Sequence, residues 1–328
     1  MNVKSPMTVK SLTVSLSLLC LLAPAAQAAT IFVSNERDNT VTVIDSETLE
    51  VIKTIETGER PRGIIVSHDG TEVYVCAGDD DRLDVIDSQT LEIVRSMDSG
   101  PDPELLDVDP EGKRIYVANE DDSMVTVMER KTGELIKEIP VGIEPEGMAV
   151  SPDSKLVVAT SESTSMAHFI DAESLELYAN VLVDTRPRHA EFEKDGKRVW
   201  VTSEIGGTVS VIDAASQEIV GKLSFEIAGV KPELIQPVGM RFTKDGGRAF
   251  IALGPSNHVA VVDSASHEIL DYILVGQRPW HIEMHPDGSK LYVANGLTND
   301  MTIVDVATLK AERSVPVGRL PWGVAIVP

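Results

Sequence analysis

The chain is poor in cysteine, in aromatic residues and in positive charge. Its two cysteines are Cys20 and Cys76, and aromatic residues make up 4% of it. Lys and Arg number 29 against 52 Asp and Glu, a formal net charge of −23. Such an excess repels nucleic acid and anionic membrane surfaces and keeps a protein soluble. No Cys-x-x-Cys-His occurs, which excludes a c-type haem attachment site. His-Glu-x-x-His, Gly-x-Ser-x-Gly and a phosphate-cradling glycine loop are also missing. The one long apolar run, Leu12 to Leu22, is too short to span a bilayer comfortably.

That run belongs to a leader. Lys4 and Lys10 precede it, and Ala26-Gln27-Ala28 follows as a small-residue cleavage site. The expectation is a signal peptide over residues 1–28, export to the periplasm, and one domain over residues 29–328. Cleavage removes two lysines and no acid, so the product is more acidic still. It also removes Cys20. Cys76, inside the strand-like Val73-Tyr74-Val75-Cys76-Ala77, is then alone and reads as a buried structural thiol.

What the chain does have is a repeat. A β-branched run ending in an acid, such as Val41-Thr42-Val43-Ile44-Asp45, recurs with terminal acids Asp45, Asp87, Glu129, Asp171, Asp213, Asp263 and Asp305. The spacing is 42 residues with a single step of 50. A second strand, centred on an aromatic residue in most copies, keeps the same steps, as at Phe32, Tyr74, Tyr116, Trp200 and Tyr292. So do the prolines Pro61, Pro103, Pro145, Pro187, Pro237, Pro279 and Pro321. Ser or Thr stands three residues after each terminal acid, as a tight turn requires. Each unit reads as four strands, and seven such units predict an all-β, seven-bladed β-propeller. Its closing blade should combine one C-terminal strand, Gly323 to Val327, with three N-terminal strands beginning at Ile31 to Asn35. The eight extra residues fall around Phe225 to Gln236 and should enlarge the loop leading to Pro237.

Ile115-Tyr116-Val117-Ala118-Asn119 and Leu291-Tyr292-Val293-Ala294-Asn295, each followed by a Val-x-Val-Ile-Asp type strand, resemble the YVTN family of propeller repeats. An exported chain of seven such repeats further resembles the propeller proteins associated with PQQ-dependent alcohol catabolism. That resemblance implies an accessory role near periplasmic alcohol oxidation. It implies a quinoprotein dehydrogenase or an associated transporter as partner, PQQ as ligand, and no membrane span. The fold does not by itself give the function. Sugar-lactone hydrolases also use propellers, with a few polar side chains at the ring's mouth.

The residues flanking the marker prolines should ring that mouth. Arg60, Arg62, Arg186, Arg188 and Arg278 supply cations, and Asp102, Glu104, Glu144 and Glu146 form an opposing acidic arc. Acidic loops at Asp79 to Asp81 and Glu120 to Asp122 leave a Ca²⁺ site open as an alternative to a solvated surface. Two residues after proline, glycine stands at Gly63, Gly147, Gly239 and Gly323, leucine at Leu105, and histidine at His189 and His281. The histidines either fill space and bond a carbonyl or line a ligand site. They are on non-adjacent blades with no third ligand evident, so no metal is expected on the pair. Trp200 reads as packing, whereas Trp280 and Trp322 occupy equivalent mouth positions on neighbouring blades. Arginine forks and flat aromatic faces suit a small planar anion.

The expected function is a non-catalytic binding or scaffold protein, with a lactonase-like hydrolase using the mouth as the alternative. N-terminal sequencing of exported protein should read Ala29-Thr30-Ile31. A mature chain that retains Met1 removes the leader assignment.

Overall fold

A computed structural model describes residue 1 and residues 29–328. The expected leader therefore lies, apart from Met1, outside the described residues. The rest is seven four-stranded antiparallel sheets arranged as blades. Pro61–Val66, Glu72–Ala77, Arg82–Asp87 and Ile93–Asp98 form the first blade, running from the axis outwards. Among the described residues no helix is long and apolar enough to cross a membrane.

The three sequence markers are three structural devices. The terminal acid caps the turn into the outermost strand. Asp45 Oδ1 accepts hydrogen bonds from the Thr48 amide at 2.7 Å and the Thr48 hydroxyl at 3.0 Å. Asp171 treats Ser174 the same way, at 2.7 and 2.9 Å. The aromatic strand is the second in each blade and is fully buried at Phe32, Tyr74, Trp200 and Phe250. The proline begins the innermost strand in six blades. In the fifth blade regular pairing covers only Met240–Phe242, because the Gly239 amide turns aside to the Trp280 carbonyl at 3.1 Å. The extra residues form the loop before it, with a short turn of helix at Pro232–Leu234.

Burial follows the layers. Second and third strands are sandwiched between neighbouring blades, while the outermost strands, such as Val51–Glu56, are largely exposed. Seven apolar clusters result, one at each junction between blades. Cys76 is a free, buried thiol in one of them.

Ring closure is as expected. Pro321–Val327 is the innermost strand of the closing blade and pairs antiparallel with Thr30–Asn35, Ile31 opposite Ile326 and Val33 opposite Val324. Val324, Ala325 and Ile326 are buried. Deleting Gly323–Pro328 would expose two sheet edges and empty these sites. The truncated chain should melt at least about 10 °C below its parent or fail to accumulate in soluble form. Unchanged thermal unfolding would show that the closing strand is dispensable.

Candidate active site at the mouth of the channel

The residue before the marker proline is held in the left-handed region in six of the seven copies, Gln236 being the exception: Arg60 at φ 56°, Asp102 at 51°, Glu144 at 57°, Arg186 at 61°, Arg278 at 57° and Leu320 at 51°. Side-chain-bearing residues lose about 1–2 kcal/mol there. The loop of the preceding blade supports the geometry. Asn39 Oδ1 accepts the Arg60 amide at 3.1 Å, and Asn257 Oδ1 accepts the Arg278 amide at 3.0 Å. Strained backbone is thus used repeatedly to aim charged side chains at one face of the ring.

On one side, Arg60 and Arg62 converge on Glu104, which is fully buried. Arg62 Nη1 reaches both oxygens of Glu104, at 2.8 and 2.9 Å, and its Nη2 reaches Glu36 at 3.2 Å. Arg60 also pairs with Asp79 at 2.7 Å and with Asp102. On the other side, Arg186 Nε lies 2.7 Å from Glu162 and 3.3 Å from Glu204. Buried Arg188 pairs with Glu162 and sits 3.3 Å from Glu146. Arg278 donates to Glu204 at 2.7 Å and to Gln236 at 2.8 Å. Every arginine expected to face a ligand has a carboxylate partner. Only Arg186 is substantially open to solvent, with 45% of its side chain exposed.

The expected aromatic platform is partly occupied from within. Trp280 and Trp322 stack on each other, centroids 6.3 Å apart, and the Arg278 guanidinium lies 4.1 Å over Trp280. Trp280 remains half-buried at the mouth, whereas Trp322 is 1% exposed and sits inside the channel. His281 stacks beneath Trp322 at 4.1 Å, and His189 meets His281 edge-on at 5.3 Å. Both histidines therefore line a cavity below the mouth rather than the mouth itself. Neither hydrogen-bonds a backbone carbonyl, in contrast to the space-filling alternative.

Sequence reasoning named Glu120 only as part of an acidic loop and missed Glu36, Glu162 and Glu204. These four follow the second strand in four blades, where Gly78, Gly254 and Gly296 stand in the others. The pattern was there to be read in the same register as the prolines. Asp102, Glu104 and Glu120 bring oxygens within 4.8 Å of one another, as do Glu120, Glu144 and Glu162. A proton relieves the crowding at the shared member. Burial, a hydrogen bond to Glu104 and the charges of Glu104 and Glu146 push Glu120 up to about 8. Burial also raises Glu146, against the pull of Arg188. Glu104 is lowered instead, because Arg62 and Arg60 outweigh its burial.

The family described as "Lactonase, 7-bladed beta-propeller" matches residues 23–150, less than half of the chain. No curated protein matches it. Among solved structures, a putative 6-phosphogluconolactonase from Bacteroides fragilis is 22% identical. It superposes at a TM-score of 0.78, over 93% of this chain and 99% of that one. The periplasmic gluconolactonase of Pseudomonas aeruginosa is 17% identical at a TM-score of 0.76, over 92% and 99%. The hydrazine synthase of Kuenenia stuttgartiensis is 22% identical at 0.78, over 85% and 92%. At these identities the likeness establishes the fold, and the chain is a seven-bladed β-propeller. Of the resemblance drawn from the repeats, the propeller kind is what stands. The expectation of a non-catalytic scaffold accessory to PQQ-dependent catabolism is overturned. The matching family is described as a lactonase family, and the neighbours include a gluconolactonase and a protein described as a putative 6-phosphogluconolactonase, which favours the hydrolase alternative.

Glu120 has a consequence for stability. Its folded value, about 8, lies above the ordinary 4.5, so folding favours its protonated form. That contribution is present below about pH 4.5 and is lost as pH rises through about 8. Melting of the parent should therefore fall more steeply between about pH 5 and pH 8 than melting of a Glu120→Gln variant. Parallel curves for the two proteins would place the Glu120 proton elsewhere.

Proposed function

We propose that the mouth hydrolyses an uncharged sugar lactone, with Glu120 as acid–base and Arg186 as the group that polarises the carbonyl. The observation that carries this reading is a solvent-reachable carboxyl group of raised proton affinity beside an open guanidinium. Glu120 shares an oxygen cluster of 4.8 Å with Glu162, and Glu162 holds Arg186 at 2.7 Å. The partial match to the lactonase family and the likeness to two lactonases support it.

The chemistry follows from these parts. The ionised Glu120 takes a proton from water as the hydroxyl oxygen adds to the lactone carbonyl. The Arg186 guanidinium donates to the oxyanion that forms. Collapse breaks the ring C–O bond, and the proton on Glu120 passes to the departing ring oxygen. Glu162 and Glu204 hold the guanidiniums in place, and the exposed edge of Trp280 offers an apolar wall to the sugar ring. The substrate's charge is limited by the same ion pairs. Each arginine already faces carboxylates, so a phosphate dianion would meet a mouth of net negative sign.

The test is hydrolysis of δ-gluconolactone and of its 6-phosphate. The unphosphorylated ester should turn over at least about tenfold faster in kcat/KM. Activity should rise with pH towards about 8, where Glu120 ionises. Glu120→Gln should lower kcat by about 10²–10⁴-fold, and Arg186→Ala by about 10². Full activity in Glu120→Gln would remove this residue from the reaction, and no turnover of either ester would remove the reading.

A further inference from the structure

The ring holds a second set of ionisable groups that the mouth chemistry does not use. It lies on the axis at the fourth residue after each marker proline. Ile65, Ala149 and Ala325 are apolar there, but the remaining blades carry Asp107, Glu191, Arg241 and Glu283. Asp107, Glu191 and Arg241 line a cavity of about 220 Å³ beneath Trp322 and His281.

The charges in this cavity do not balance. Arg241 donates from Nε to Glu283 and from Nη1 to Glu191, both at 2.9 Å. Asp107 has no cationic partner. It accepts only backbone amides, from Val108 at 2.8 Å and Val150 at 2.7 Å. Burial lowers both histidines, which leaves them neutral. Burial raises Asp107 to about 6, while the Val150 and Val108 amides favour its ionised form. Three carboxylates thus answer to one guanidinium. In addition, Nδ1 of His189 has no hydrogen-bond partner although the residue is only 5% exposed. Trp322 Nε1 is likewise unpaired and buried. An unpaired buried nitrogen costs about 1–3 kcal/mol.

These features select a class of ligand. An anion would add to the surplus negative charge. Among the described residues the groups with converging metal-ligand atoms are in the mouth, and His189, His281 and Glu191 do not form one. The walls beside the carboxylates, Ile65 and Leu106, are apolar. Ala149 stands on the blade between Asp107 and Glu191, and its small side chain leaves the space between them open.

We propose that this cavity binds a small organic ammonium ion, with its charged end on Asp107 and Glu191 and its carbon chain on Ile65 and Leu106. The site is separate from the mouth and does not depend on the reading given to it. Calorimetric titration of the folded chain with ethanolamine, ethylene glycol and acetate tests it, because the three are alike in size and differ in charge. Ethanolamine should bind with a Kd of about 1 mM, and the other two should give no heat. Binding should weaken at least about tenfold in Glu191→Gln and vanish in Ala149→Leu, which fills the space. The Leu variant also separates this cavity from the acidic mouth. If Glu191→Gln fails to fold, the parent panel and the Leu variant still decide. No ethanolamine binding by the parent, equal binding of acetate, or undiminished binding by Ala149→Leu would each overturn the proposal.

Discussion

Seven innermost strands meet at one axis, and the space between them decides which residues can stand there. A Cβ on Gly63 would lie 2.3 Å from the Glu104 carbonyl oxygen, which no side chain tolerates. On Gly147 it would come 3.0 Å from the His189 Cα, and on Gly239 2.7 Å from the His281 Cα. Around the ring the second residue after proline therefore alternates small and large: Gly63, Leu105, Gly147, His189, Gly239, His281, Gly323. Each glycine makes room for the bulky residue on the next blade, as in other tapering β interiors. Seven is odd, so the alternation must fail once, where Gly323 meets Gly63. That junction is the closing seam, and Ser34 fills it. Its hydroxyl donates to the Arg62 carbonyl at 2.7 Å and accepts the Gly323 amide at 3.0 Å.

This crowding sorts the two ends of the channel. A histidine at a large position cannot turn back towards the mouth, because Trp322 covers His281 and His281 abuts His189. The mouth is left to residues one step earlier, whose backbones stand clear of the axis. Polar groups at the fourth position serve the other end. There Asp107 accepts the Val150 amide at 2.7 Å and Glu191 accepts the Phe242 amide at 3.2 Å, so each carboxylate clasps the following blade. Buried charge and inter-blade cohesion share the same atoms, since a carboxylate without these amides would not stay ionised at such depth.

The fold was legible because it is written seven times. One copy of a proline, an aromatic strand and an acid-capped turn says little, but a shared register leaves no other arrangement for chain and closing strand. The site was less legible for a physical reason. Position in the repeat tells which face a residue belongs to, and Arg186, Arg188 and Arg278 meet at Glu204 with Trp280 beneath Arg278. It does not tell which way a side chain leaves the backbone. Trp322 has the same repeat position as Trp280, yet it is buried in the channel and stacks on His281. Nor does it give the pairing of charges. Segregated acidic and basic arcs were expected, but Glu162 and Glu204 follow the second strand and place acids among the arginines. Comparison across the seven copies would have exposed those glutamates, because glycine replaces them in three blades.

The pairing explains why the mouth can hold buried arginines in so acidic a chain. A guanidinium withdrawn from water is costly unless carboxylates stand close by, and Glu104 and Glu204 provide this on the two sides of the channel. With every arginine matched, Glu120 is left with no cation of its own among the ion pairs of the mouth. It leans on Glu104, whose oxygens are already claimed by Arg62, and a proton relieves the repulsion. Burial, with the neighbouring carboxylates Glu104 and Glu146, is thus what raises one carboxyl group to the range where it can exchange protons near neutral pH. A mouth with balanced charges would bind anions better and would lack that group.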